Sequence, residues 1–277
     1  MDADEELLAT SKKALFEVRK KLKLPLEATA EGYIPVERMA DVVKGDSSIM
    51  TDGVAVDNTT GQIFVAVNTE FPIGCTPAML NWWFGRGCEG SKQYMRWHPG
   101  DHFSCHWSKN WYEHDGTENE IHFVSEALGA DLGAKAQTLR IQFKPLTTYQ
   151  VHTRSLPFAL CARIGIYDIT LGGWVDVGHF IHYCSQGVET GDSTGFTLKS
   201  RFWLGDISFP NDNFLRFCAA PLKLALNTKF ARTFAAKFID GRPSLFHMGL
   251  ANYRHAAEEF AVLATFLQND YEQRARK

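Results

Sequence analysis

Two neighbouring stretches of the sequence decide the fold: Gly173-Trp-Val-Asp-Val-Gly-His-Phe-Ile-His-Tyr183 and Gly195-Phe-Thr-Leu-Lys-Ser-Arg-Phe-Trp-Leu204. Apolar and polar residues alternate in both, as they do in β-strands whose two faces meet different surroundings. Residues 137–143 alternate more cleanly, and residues 158–167 follow the same pattern less strictly. The middle of the chain therefore predicts at least four strands in succession, which favours an antiparallel sheet.

The sequence turns helical after these strands. Residues 214–238 predict one or two helices, and a long final helix is expected from Pro243 to about Arg274. Strands followed by a long terminal helix indicate an α+β fold. A curved antiparallel sheet wrapped around such a helix encloses a pocket, which is the helix-grip arrangement.

The N-terminal part of the chain predicts a separate arm. Residues 5–23 have the spacing of an amphipathic helix, and the runs 53–56 and 62–67 indicate a hairpin. Thr76-Pro77 then has the composition of a helix start. We expect residues 1–70 to form an N-terminal helical arm with the hairpin, and residues 71–277 to form the helix-grip domain that carries the chemistry.

Composition narrows the possible partners and the compartment. The net charge of -3 over 277 residues gives no reason to expect nucleic acid. No apolar run approaches the roughly 20 residues that span a bilayer, and the N-terminus lacks the pattern of a signal peptide. Six scattered cysteines without a C-x-x-C pair favour free thiols over a disulfide frame or a cysteine–zinc site. We therefore expect a cytoplasmic protein with no membrane or nucleic-acid partner, whose amphipathic N-terminal arm could pair subunits into a homo-oligomer.

Two short motifs match catalytic patterns without the required context. Gly85-Arg-Gly-Cys-Glu-Gly90 fits a dinucleotide fingerprint, but helical sequence precedes it where a strand is needed. Gly191-Asp-Ser-Thr-Gly195 fits a nucleophile elbow, but it leads into a strand where a helix is needed. Turns are the better interpretation of both, and a serine hydrolase based on Ser193 is the weaker alternative.

The final helix contains a pattern with chemical meaning. His255 and Glu259 lie one turn apart, on the same stripe as Val262 and Phe266. A carboxylate on an apolar stripe is costly to bury unless it is paired or bound to a metal. The alternative is an ordinary pair, with Glu259 facing solvent or bound to an Arg or to His255.

A histidine-rich stretch offers further ligands. His98, His102 and His106 are spaced four apart, but Pro99 and Gly100 argue against a regular helix, so we expect a loop. The loop also contains several tryptophans, so packing of rings is the alternative to metal binding. These tryptophans are Trp97, Trp107 and Trp111.

A second carboxylate would complete a site of two histidines and two carboxylates, the kind of donor set that suits zinc. Glu126 could supply it, and from the residues alone Glu118 and Glu120 are equally possible.

Four segments together carry a resemblance to a known family. They are Phe71–Phe84, Tyr94–His102, Ser200-Arg-Phe-Trp-Leu-Gly205 and His255-x-x-x-Glu259. In order and combination they resemble the 2,4-diacetylphloroglucinol hydrolase and phloretin hydrolase family, from about residue 70 to about residue 270. The resemblance implies a zinc-dependent hydrolase with a helix-grip, Bet v 1/START-like fold. Such enzymes cleave the carbon–carbon bond between an acyl carbonyl and a polyhydroxylated aromatic ring.

The resemblance also implies a set of metal ligands. The family's first ligand follows a Tyr by eight residues, which selects His102 after Tyr94. The C-terminal pair corresponds to His255 and Glu259. Glu126 is the best match for the middle ligand, although its separation from His102 is shorter than the family's. One zinc ion per chain is implied.

The implied substrate is a phenolic ketone. His182 corresponds to the histidine that the family places near the ring hydroxyls, with His179 as its rival. A His or Tyr near those hydroxyls would assist proton transfer, and His182 and Tyr94 are the candidates for that role. Phe202 corresponds to an aromatic contact where a Tyr would supply a hydroxyl, so this chain departs from the family pattern there. The alternative function is a non-catalytic helix-grip protein that binds a hydrophobic small molecule.

Overall fold

The computed structural model describes residues 3–27, 32–45, 49–108, 117–152, 156–184, 195–211, 213, 219–239 and 241–275. Two residues considered above, Trp111 and Ser193, lie outside these ranges, as does most of the motif that contains Ser193.

The described residues form eight strands and eight α-helices. The strands are β1 Gly53–Val56, β2 Ile63–Phe71, β3 His102–Trp107, β4 Ile121–Glu126, β5 Gln137–Lys144, β6 Ala159–Asp168, β7 Gly173–Cys184 and β8 Phe196–Ser208. The helices are α1 Ala3–Lys21, α2 Met39–Lys44, α3 Pro77–Trp82, α4 Ser91–Trp97, α5 Ala219–Leu226, α6 Lys229–Phe234, α7 Leu245–Ala264 and α8 Leu267–Arg274.

All eight strands belong to one curved sheet. Their order is β1-β2-β8-β7-β6-β5-β4-β3, and every neighbouring pair is antiparallel. Helix α7 packs on the inner face against β1 and β2, and its apolar residues join those of the strands in the main hydrophobic core. The predicted α+β, helix-grip fold is confirmed.

Helix α7 passes very close to the sheet at one glycine. A Cβ atom built on Gly249 would lie 2.6 Å from Cγ1 of Val54 and 2.8 Å from Cγ2 of Ile63. Only glycine allows this approach, because any larger residue would push the helix away from the strands. This contact fixes the distance between α7 and the strands β1 and β2.

The N-terminal residues contribute to both faces of the sheet. Helix α1 packs on α7 and α4, with Leu15 in the main core. Residues 34–45 and Ile49 cover the opposite face, where Met39 and Val42 pack with Phe64 and Trp203 in a second core. The hairpin β1–β2 is hydrogen-bonded to β8 and extends the same sheet. The division into two domains at residue 70 stays a prediction.

The structure corrects two details of the sequence interpretation. The expected loop after Gly100 is the strand β3, whose pairing with β4 could not be seen in its histidine-rich sequence. The expected single helix to Arg274 breaks after Ala264, where Phe266 leaves helical geometry with φ -134° and ψ -9°. None of the helices in the described ranges is long and apolar enough to cross a membrane.

Candidate metal centre

The first half of the centre comes from the pairing of β3 with β4. His102 lies directly opposite Glu126 in the antiparallel register. Residues opposite each other in such a pair present their side chains on the same face, and the Nε2 of His102 lies 3.7 Å from an oxygen of Glu126. The register thereby explains why Glu126 takes this place. Glu120 lies at the other end of β4, where it accepts a hydrogen bond from Ser108.

A bulge in β3 determines which of its side chains face the core. The register shifts between His102 and Ser104, so that Cys105 and Trp107 are buried together with His102. His106 faces outward and stacks on Phe123, with 5.0 Å between the ring centroids.

Helix α7, which packs on the sheet, supplies the second half of the centre. His255 and Glu259 are one turn apart on its buried face, and their nearest atoms, His255 Nε2 and Glu259 Oε2, lie 3.9 Å apart. The Nε2 atoms of His255 and His102 lie 3.3 Å apart. A Glu259 oxygen lies 3.6 Å from His102, and a Glu126 oxygen lies 4.0 Å from His255. The structure therefore brings together the four side chains that the sequence suggested as ligands.

The spacing of these atoms suits a small divalent cation. Four N and O ligands about 2.0–2.2 Å from a tetrahedral zinc ion lie about 3.3–3.6 Å from one another. The five separations given above run from 3.3 to 4.0 Å. In donor type and spacing, His102, His255 and Glu259 fit zinc, and Glu126 lies close enough to both histidines to serve as the fourth ligand.

Neighbouring groups orient both imidazoles so that Nε2 is left for a metal. The Nδ1 of His102 donates to the backbone oxygen of Tyr94 at 2.9 Å. The Nδ1 of His255 donates to Asp101 Oδ2 at 3.1 Å. Carbonyl and carboxylate partners on the far nitrogen are typical of metal-binding histidines, because they select the tautomer and fix the ring.

Tyr94 and Asp101 hold the other groups in place. The Tyr94 phenol donates to Glu126, and its ring stacks on His102 with 3.8 Å between centroids. Asp101 also accepts from the backbone N–H groups of Gly129 and Ala130, at 2.9 and 2.8 Å.

Burial and neighbouring charges shift the pKa values of three residues in the centre. Burial together with the carboxylates of Glu126 and Asp101 raises the pKa of Glu259 to about 8, against the effect of His255. Burial would lower the pKa of His255, but the hydrogen bond to Asp101 and the nearby carboxylates outweigh it and raise the pKa to about 9. Burial and the charge of His255 lower the pKa of His102 well below its usual value. Protons on Glu259 and His255 thus reduce the negative charge of the group, which a bound cation could do in their place.

Behind the centre, the N-terminal helix reaches His255 through a chain of contacts. Arg19 makes two hydrogen bonds to Glu258, at 3.0 and 2.9 Å. Glu258 Oε2 lies 3.1 Å from His98 Nε2, and the His98 ring stacks on His255 with 4.7 Å between centroids. His98 Nδ1 also accepts from the backbone N–H of Asp101 at 3.0 Å. Helix α1 is therefore coupled to the position of His255.

His102→Ala should remove metal binding, whereas His98→Ala should keep a stoichiometric metal with reduced affinity. The Nε2 of His102 faces the other three ligands, while the Nε2 of His98 is engaged by Glu258. Losing a ligand is more damaging than losing a group that only orients one. Competition with a chromophoric chelator measures both affinities. Equal loss in the two variants, or the reverse order, would contradict the choice of His102.

Arg19→Ala should weaken zinc binding by about tenfold, the lower end of the range for residues that orient metal ligands. Without Arg19, the buried Glu258 loses two hydrogen bonds, and its hold on His98 and the Asp101 turn loosens. The adjacent exposed residue provides a matched control, Lys20→Ala, which should leave the affinity unchanged. If Arg19→Ala lowers the melting temperature but leaves zinc affinity at the parent value, the contact only stabilises the fold.

The alternation of side chains along β7 places His182 and His179 on opposite faces of the sheet. His182 lies in the main core, where it contacts Phe84, Phe202 and Phe260, with 4.8 Å between the His182 and Phe260 centroids. His179, three residues earlier, faces the opposite side and lies 2.9 Å from Asp206. His182 thus contacts α7 directly at Phe260, the residue that follows Glu259.

The surroundings of His182 keep it uncharged. Burial lowers its pKa to about 3. Its Nδ1 lies 2.9 Å from the Ser200 hydroxyl. Phe202 is packed against His182 and Phe180. The predicted aromatic surroundings are present.

Sequence reasoning missed several groups that support the centre. Asp101 is the most important of them, since it binds His255 and anchors the following turn. Its position next to His102 was the available signal, because ligating histidines need a partner for the second nitrogen. The described cysteines, Cys75, Cys88, Cys105, Cys161 and Cys184, are all free thiols.

Three solved structures with some likeness to the chain differ strongly from it in sequence. Ara h 8.0201 is 10% identical, with 70% of this chain and 99% of that chain covered and a TM-score of 0.30. A protein from Arthrobacter aurescens is 10% identical, with 78% and 91% covered and a TM-score of 0.38. A truncated norcoclaurine synthase from Thalictrum flavum is 13% identical, with 64% and 94% covered and a TM-score of 0.30. None of the curated proteins compared with the chain matches it.

The match to a protein family is extensive. Residues 34–272 match the family described as the DAPG hydrolase PhiG domain. The match includes every strand of the sheet and all four side chains of the metal centre, and it begins after helix α1. The chain belongs to the DAPG hydrolase PhiG domain family.

Proposed function

We propose that this protein is a zinc-dependent hydrolase of acylphloroglucinol-type ketones. It cleaves the bond between the acyl carbonyl and the polyhydroxylated ring and releases a carboxylic acid. The observation that carries the proposal is the convergence of two imidazoles and two carboxylates in an aromatic core, in a chain of the DAPG hydrolase family. When bound by His102, Glu126, His255 and Glu259, zinc supplies the Lewis acidity that polarises a carbonyl.

The reaction requires a proton at the ring carbon that leaves the acyl group. Hydroxyls ortho and para to that carbon allow the ring to tautomerise to a ketone, and this makes the carbon basic. Tyr94 holds a proton on its phenol, because burial and the Glu126 carboxylate raise its pKa well above the usual range. We assign Tyr94 the role of holding and returning this proton, close to His102.

His182 and Phe202 are assigned to the aromatic ring of the substrate. A neutral imidazole can accept a hydrogen bond from a ring hydroxyl, and the low pKa of His182 keeps it in that form. Phe202 and Phe260, which both contact His182, would pack on the ring and keep water away from it. Since Phe202 has no hydroxyl, specificity for ring substitution would depend more on His182 and Tyr94.

The purified protein should bind about one equivalent of zinc at this centre and should release a carboxylic acid from an acylated phloroglucinol. Removing the zinc with a chelator should abolish turnover, and adding zinc back should restore it. Elemental analysis and product chromatography test both statements together. Full activity in protein shown to be metal-free would end the proposal. Metal-free protein that binds the ketone without turning it over would favour the alternative of a small-molecule binding protein.

The prediction of a cytoplasmic protein without nucleic-acid or membrane partners stays a prediction, as does the homo-oligomer formed through the N-terminal arm. Helix α1 uses Leu15 and Arg19 on its own chain. Phe16 on the same helix is 59% exposed and would be available to a second subunit.

A further inference from the structure

A second group of ligand-type side chains lies in the same core and takes no part in the centre described above. Cys88 follows the π-helical turn Trp83–Gly87, Cys105 lies on β3, and His122 lies on β4. Their two sulfur atoms and a ring nitrogen all lie within 4.8 Å of one another, and all three residues are buried. We propose that Cys88, Cys105 and His122 form a second metal site, which binds a thiophilic cation of the Zn²⁺ and Cu⁺ class.

The donor set selects this class of cation. Thiolates are soft ligands that favour Zn²⁺ and Cu⁺, and imidazole suits both. Two thiolates neutralise the charge of Zn²⁺, which lowers the free-energy cost of burying the ion in an apolar core.

His122 provides an independent sign that a partner belongs here. It is 5% exposed, and its Nε2 atom is buried without a hydrogen-bond partner among the residues that the structure describes. A buried polar atom left unpaired costs about 1–3 kcal/mol. Coordination of a cation through this nitrogen would remove the cost.

The three residues are held in place by contacts that do not use their ligand atoms. The Ser91 hydroxyl accepts from the backbone N–H of Cys105 at 3.0 Å and donates to its C=O at 3.2 Å. The indole N–H of Trp107 donates to the backbone oxygen of Cys88 at 2.9 Å. The Trp107 ring also stacks on His122, with 4.2 Å between centroids. Such support of the backbone and the ring preorganises the group for a ligand.

The group is separate from the first centre, although it is close to it. The Tyr94 ring stacks on His102 and meets His122 edge-on, with 5.7 Å between the centroids of Tyr94 and His122. The first centre has only nitrogen and oxygen donors, whereas the second contains two sulfurs. Sulfur coordination therefore identifies the second site, whether or not the proposed hydrolase function is correct.

Cobalt tests the proposal through the absorption of a cobalt–thiolate bond. Full-length protein loaded with Co²⁺ should show thiolate-to-cobalt charge transfer in the near ultraviolet. Cys88→Ser and Cys105→Ser should lose this absorption. Glu259→Gln, which disrupts the first centre, should keep it. Cys161→Ser, which changes another buried thiol, should also keep it. Circular dichroism establishes that each variant is folded.

A second measurement needs no variant. X-ray absorption of the protein as purified should show sulfur ligands at about 2.3 Å from zinc, or short sulfur contacts at copper. Elemental analysis of the variants then identifies the ion bound at the second site. That ion should be missing from Cys105→Ser and present in Glu259→Gln. Absence of charge transfer in the wild-type protein together with absence of sulfur scattering would overturn the proposal. A disulfide between Cys88 and Cys105 in protein purified without reductant would also overturn it.

Discussion

Replacing Glu259 by Gln, or His255 by Ala, should abolish hydrolysis and release the zinc from the first centre. His255→Ala removes an imidazole and Glu259→Gln removes a carboxylate charge, and each of these buried groups lies within 4.0 Å of at least two other ligands. Loss of a single group that stabilises developing charge costs about 10²–10³ in rate, and loss of the metal should cost more. Steady-state assays and elemental analysis on the same samples measure the two effects.

His247→Ala provides the matched control for these variants. His247 is an exposed histidine in the first turn of the same helix, where it contacts Ser244. Its removal should leave both rate and zinc content at the parent level. If Glu259→Gln and His255→Ala also keep full zinc and full rate, the polar stripe of α7 is structural and the centre lies elsewhere.

Hydrolysis should require the hydroxyls on the aromatic ring of the substrate. An acylated phloroglucinol should release its carboxylic acid, and the matched ketone without ring hydroxyls should give no detectable product. Without an ortho or para hydroxyl the leaving carbon cannot be protonated through a ketone tautomer, and polarising the carbonyl does not compensate for an aryl carbanion. Product chromatography on the two ketones at equal concentration is a direct comparison.

Two variants connect this requirement to the site. Tyr94→Phe and His182→Gln should lower kcat strongly while zinc content changes little, because both residues are assigned to protons and ring hydroxyls. Equal turnover of the two ketones would rule out carbon–carbon hydrolysis with a hydroxylated leaving group. Turnover of simple esters alone would point to a different reaction, for which Ser193→Ala is the first variant to make.

The local periodicity of apolar residues in the sequence predicts much of the fold. The alternation in residues 137–143, 158–167, 173–183 and 195–204 predicts strands β5 to β8 with ends within about one residue, except that β8 continues four residues further to Ser208. Helical spacing likewise places His255 and Glu259 together on one buried face, since residues four apart in a helix are neighbours. Both results depend only on residues close in sequence, and so they can be obtained before any tertiary contact is known.

The rest of the site depends on contacts between distant segments. Glu126 lies beside His102 because of the β3–β4 register, and no spacing rule distinguishes it from Glu120. The β3 bulge buries Cys105 with His102 and turns His106 outward, although the histidines are evenly spaced in the sequence. Register and bulges are set by how the whole sheet packs on α7.

The sequence by itself thus determined the helix-grip fold, the His255–Glu259 pair and the ligand types that favour zinc. Tertiary structure alone decided that Asp101 supports His255, that His182 and not His179 faces the core, and that Cys88 and Cys105 meet His122. The physical reason is the range of the interactions. Secondary structure follows from neighbours along the chain, whereas a buried polar site requires partners that only the packing of the sheet, α4 and α7 brings together.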